Sequence, residues 1–117
     1  VLVYSLSLAI AACPRACGQA AHAGRQAGDQ VAGGLERVLQ HAESKQNIAV
    51  FTSGGTITAL LHLITRMPAA QAFELNWQIV NTSLNQLKFR GREVALASFN
   101  SHAHLQLLKA PQLITFR

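Results

Sequence analysis

The chain predicts a layered α/β domain, on three observations. Apolar residues recur at helical spacing in two stretches, a short continuous apolar run lies between them, and the period shortens to two after Asn81. Helix, strand, helix, helix and hairpin in that order place the chain in the α/β class.

The first helix follows from Val31, Leu35, Val38, Leu39 and Ala42, which fall on one stripe, with Asp29 as its N-cap. Gly33 and Gly34 weaken its first turn by roughly 1 kcal/mol each relative to Ala. The polar "SKQN" ends it. "IAVF", Ile48 to Phe51, then suits a strand buried on both faces of a parallel sheet. Ile57, Leu60, Leu61 and Ile64 set the apolar stripe of the next helix, and Pro68 suits the first turn of a third, "PAAQAFELNW". Trp77, where that helix meets the following strand, is expected in the core. Leu87 and Phe89 alternate with polar residues, as do Val94 and Leu96. The "RGR" between them is a hairpin turn with Gly91 at positive φ. No internal repeat is present.

With 117 residues the chain suffices for one domain with a modest core, and its apolar half and 13% charged residues are not those of a disordered sequence. The net charge of +5 favours anions. The basic residues are scattered, without a dense cluster or interleaved aromatics, so nucleic acid is not an expected partner. Cys13 and Cys17, four residues apart with no second pair, do not make a zinc site and read as inert thiols. The opening "VLVYSLSLAIAA" is too short for a membrane-spanning helix, which needs about 20 residues. It resembles the apolar part of an export signal, and "IAAC" loosely resembles a lipoprotein cleavage box, but no basic segment precedes it; the reading preferred is a start cut from inside a longer protein. "CPRACGQAAHAGRQAGDQ" has no clear period. It reads as loop, disorder or sequence foreign to the fold, as out-of-frame translation of a GC-rich gene produces. The expected division is therefore an atypical segment over 1–30 and a folded part over 31–117.

Chemistry is concentrated where "IAVF" runs into Thr52, Ser53, Gly54 and Gly55 and a helix begins. The first N–H groups of a helix lack partners, and with the helix dipole they favour an anion, most often phosphate. Glycine lets the ligand approach the backbone, and the hydroxyls of Thr52 and Ser53 can add hydrogen bonds. The turn has neither the Lys of GxxxxGK[ST] nor the pattern GxGxxG, and no Gly stands two residues before Ser53 as a nucleophile elbow requires. The alternative is a plain N-cap in a tight turn.

Four blocks widen the reading: "AVFTSGGTITALL", "FELNWQIVNTSLNQLKF", "LASFNSHAHL" and "LITFR". In order and spacing they resemble the C-terminal half of the histidine phosphatase (phosphoglycerate mutase-like) superfamily, over about Val31 to Arg117. The resemblance implies part of a three-layer sandwich with a mostly parallel sheet flanked by helices. It also implies phosphomonoester hydrolysis through a phosphohistidine, with no cofactor and no metal. An N-terminal Arg-His-Gly carries the nucleophile in that family. This chain has none, so no catalytic residue is assigned, the strand that would carry the motif is expected to be missing, and the chain is expected to be inert alone. Ser53 stands where the superfamily usually has the second pocket histidine, so it can donate a hydrogen bond but carries no positive charge. Asn81 and either His102 or His104 match segments that would edge the pocket. His102 and His104 also have the spacing of a metal pair, but no third ligand is evident. Asn81 opens "NTS", also an N-glycosylation pattern, a reading discounted in a bacterial-looking sequence.

The implied partner is a phosphorylated small molecule or another anion, with no membrane and a cytoplasmic location. Loss of the central strand would leave "IAVF" with an unpaired edge open to self-association. The alternative function is a non-catalytic remnant that binds anions or a partner.

Overall fold

A computed structural model of the chain describes residues 7–12, 24–43 and 45–116. Its strands form one four-stranded sheet in the order β2-β1-β3-β4, with β1 Ser7–Ala12, β2 Asn47–Thr52, β3 Leu84–Arg90 and β4 Glu93–Ser101. The helices are α1 Gly24–His41, α2 Gly54–Thr65, α3 Ala69–Asn76 and the short α4 Ala103–Leu107. Among the described residues no helix is long and apolar enough to cross a membrane.

The α/β class is as expected, but the sheet is not mostly parallel. Only β1 and β2 run parallel, from Ser7 opposite Asn47 to Ala12 opposite Thr52. β3 is antiparallel to β1, and β4 to β3. The reason lies in the connections. A parallel neighbour needs a crossover, which α1 supplies. Two helices in succession, α2 and α3, return the chain to the end where β2 finished, and Leu84 then opens β3 opposite Ala11. The hairpin turn is as read, with Gly91 at φ 60°.

A strand does occupy the position beside β2 that was expected to be empty. It comes from Ser7–Ala12, within the apolar opening run. The first helix also starts earlier, at Gly24. Arg25, Gln26 and Ala27 are good helix formers, so the helix continues back past Asp29, which lies inside it rather than capping it. Ordered elements therefore begin well before residue 31. The cysteine pair and most of the 13–30 stretch lie outside the described residues.

The core lies on one face of the sheet. Ile57 and Leu60 of α2 meet Ile79, Leu87 and Phe89, and Val31, Leu35 and Leu39 of α1 close over them with Ile48, Val50, Val94, Leu96 and Phe99. Each such side chain stabilises the fold by about 1.5–3 kcal/mol when fully buried. The pairing of β3 with β4 slips between Leu87 and Gln86 and again between Gln86 and Leu84, and past the first slip Phe99 packs against the core.

The opposite face is open in the described residues. Asn47, Ala49 and Phe51 are exposed, Phe51 by 78%. β2 is thus an edge strand buried on one face, not two. "IAVF" is continuous in sequence, but its small Ala49 and outward Phe51 alternate with inward Ile48 and Val50. Trp77 is not in the core either. It caps the C-terminus of α3, is 58% exposed, and meets Phe73 edge-on with ring centroids 6.4 Å apart.

Candidate functional site

Register brings the chemistry-bearing segments to one end of the sheet. β1 and β2 finish there at Ala12 and Thr52, β3 begins there at Leu84, and β4 finishes there at Ser101 opposite Leu84. Ser53, the segment Asn81–Ser83 and His102 all lie at this end. They are not equally close. Strands lie about 4.8 Å apart, so three spacings put the end of β4 about 14 Å from the end of β2.

The Thr52–Gly55 turn is built as the N-terminus of α2. Ser53 is its N-cap in extended backbone (φ −86°, ψ 160°). Its Oγ accepts from the Thr56 N–H at 3.4 Å and lies 3.2 Å from Thr56 Oγ1, and its carbonyl takes the Ile57 N–H at 3.1 Å. The N-cap alternative is therefore realised for this side chain. The N–H groups of Gly54 and Gly55 have no partner among the described residues, so they are the donors left at the head of the helix.

Gly54 sits in close quarters: a Cβ there would stand 3.0 Å from Asn76 Oδ1 at the end of α3, which would have to give by a few tenths of an ångström. The Thr58 hydroxyl donates to Gly54 O at 2.9 Å and reaches Asn76 Oδ1 at 3.2 Å, tying the start of α2 to the end of α3. At Gly55 the nearest atom to an added Cβ is Ser53 Oγ at 3.9 Å, and the residue is exposed.

The other candidate residues are engaged locally. Asn81 donates its backbone N–H to Thr115 O at 2.9 Å and its Nδ2 to Thr115 Oγ1 at 3.0 Å, fastening the C-terminal segment. His102 Nδ1 lies 3.0 Å from Asn100 O. A carbonyl only accepts, so Nδ1 carries the proton and Nε2 is left to accept from the Gln106 amide 3.4 Å away. His104 is exposed on α4. Among the described residues no three His, Cys, Asp or Glu side chains come together as a metal site.

Three features at or near this end escaped the sequence reading. Asn100, in left-handed backbone at φ 54°, accepts the Val80 N–H at 2.8 Å, donates to Gln78 O at 2.6 Å, and gives its own N–H to Asn85 Oδ1 at 2.8 Å. Asparagine is depleted in strands, so its place near the end of β4 was an available signal. Ser83 is fully buried, yet its Oγ has no hydrogen-bond partner among the described residues. A cleft of about 470 Å³ opens between α1, β2 and α2 and has Thr52 and Thr56 in its lining.

No curated protein and no solved structure matches the chain. Residues 11–102 match the model of the histidine phosphatase superfamily (branch 1), a span that takes in β1's last residues, the Thr52–Gly55 turn, the hairpin and His102. The match covers well over half of the sequence, and the chain belongs to the histidine phosphatase superfamily.

Proposed function

We propose that the chain carries one wall of a phosphate pocket, Thr52 to Gly55, within a phosphoglycerate-mutase-like domain. That domain would hydrolyse a phosphomonoester through a phosphohistidine. The observation that carries the reading is the pair of N–H groups on Gly54 and Gly55 that have no partner among the described residues, at the carboxyl end of β2 beside the end of β1. Ligands of α/β sheets bind at the carboxyl ends of parallel strands, and two backbone donors at a helix N-terminus suit a phosphoryl oxygen. A pocket-edge role for Asn81, His102 or His104 would require a substrate that extends along the sheet end, about 14 Å to reach His102. The helical layer over Ile48 and Val50 would be one outer layer of a three-layer sandwich, and the open face bearing Phe51 is where the other helical layer would pack.

Without Arg-His-Gly the chain has no phosphoryl acceptor and is inert alone. The test is an assay with p-nitrophenyl phosphate, in which no turnover above the blank is expected. Turnover that survives both Ser53→Ala and stringent repurification would contradict it. The second reading, a non-catalytic anion- or partner-binding chain, is favoured by the outer edge of β2, which pairs with no strand among the described residues.

A further inference from the structure

The cleft beside the turn points to the class of ester. It lies between α1 and α2 over the outer half of β2, and its walls are Val31, Leu35, Val38, Val50 and Leu60. Its about 470 Å³ falls within the range of about 300–1,000 Å³ usual for small-ligand pockets. Thr52 belongs both to this lining and to the turn, and Thr56, whose N–H bonds Ser53 Oγ, lines the cleft beside it. Gln30 and Arg37 add an amide and a cation from the same face of α1. Gly34 is part of the lining, and a Cβ added there meets nothing within 4 Å.

We infer that this cleft receives the organic part of the phosphomonoester, and that this part is apolar, an aryl or short alkyl group rather than a sugar. The inference rests on the reading that the Thr52–Gly55 turn takes the phosphoryl group. Five aliphatic walls reward burial of apolar surface and would leave most sugar hydroxyls without partners. Thr52, shared by the turn and the lining, suggests the orientation. With the phosphoryl oxygens on the Gly54 and Gly55 N–H groups, the ester substituent leads past Thr56 between the helices. The excess positive charge of the chain matches the anionic end.

The experiment titrates the full chain with inorganic phosphate, glycerol phosphate, 1-naphthyl phosphate and neutral 1-naphthol. It compares the wild type with Gly34→Leu, which fills the cleft and also favours the helix, and with Gly33→Leu, a control one residue away on the exposed side. The expected result is 1-naphthyl phosphate binding about tenfold or more tighter than inorganic or glycerol phosphate. That gain is lost in Gly34→Leu and kept in Gly33→Leu, while phosphate affinity stays the same in all three. Equal affinity for the three phosphates, or a gain that survives Gly34→Leu, would overturn the inference and leave the phosphate reading intact. Naphthol binding as tightly as naphthyl phosphate, with no phosphate binding, would overturn both.

Discussion

Ser53 Oγ accepts the Thr56 backbone N–H at 3.4 Å, so this side chain serves the helix it begins. Cap and anion site can therefore be separated by substitution. Ser53→Ala should cost about 1 kcal/mol in urea unfolding. Ser53→Asp should keep the stability, because aspartate is a good N-cap and its charge suits the helix dipole, yet abolish phosphate binding by repulsion. Loss of stability in Ser53→Asp, or retained phosphate binding, would contradict this division.

The buried Ser83 hydroxyl predicts a substitution that stabilises. An unsatisfied buried polar group costs about 1–3 kcal/mol, and nothing among the described residues accepts from or donates to this Oγ. Ser83→Ala should raise the unfolding midpoint, with a gain of about 1 kcal/mol. A comparable loss would mean that the hydroxyl has a partner in the folded protein.

Asn100 should be among the most sensitive polar positions. Removing its amide breaks the bonds to Val80 N–H and Gln78 O, leaving a backbone donor unpaired. Asn100→Ala should cost about 2–4 kcal/mol, the sum of lost bonds and left-handed backbone. Asn100→Gly removes the same amide but tolerates φ 54°, so it should be less damaging by about 1 kcal/mol. Equal losses in chemical denaturation would show that backbone conformation contributes nothing.

The outer edge of β2 predicts association. The strand "NIAVFT" contains no charge and no proline, the usual guards of an exposed edge, and Phe51 stands open beside it. Sedimentation velocity should show concentration-dependent self-association that Ala49→Lys reduces. A monomer at all concentrations would contradict it.

What could be read from the sequence is what local spacing determines. The stripes Val31–Leu35–Leu39 and Ile57–Leu60–Leu61 do face the core, and Gly91 does turn the hairpin, because side-chain period and positive φ are properties of neighbouring residues. Pairing between distant strands is not local. The insertion of Ser7–Ala12 between β2 and β3 depends on partners some 40 and 80 residues away, which the apolar run alone does not reveal. Burial of "IAVF" on one face rather than two depends on what covers the sheet, and the Asn100 network joins residues 15 to 22 positions apart. The glycine pair of the turn was legible; that Ser53 would be taken up by capping was legible only as one of two alternatives.

Gly54 and Gly55 are expected to present their N–H groups to a phosphoryl oxygen. The direct measurement is a titration of the ¹⁵N-labelled chain with inorganic phosphate, followed through the amide resonances. Saturable downfield shifts of the Gly54 and Gly55 N–H protons are expected, larger than those of the exposed Gly33 and Gly91. Unmoved Gly54 and Gly55 resonances at phosphate concentrations that shift other amides would contradict it.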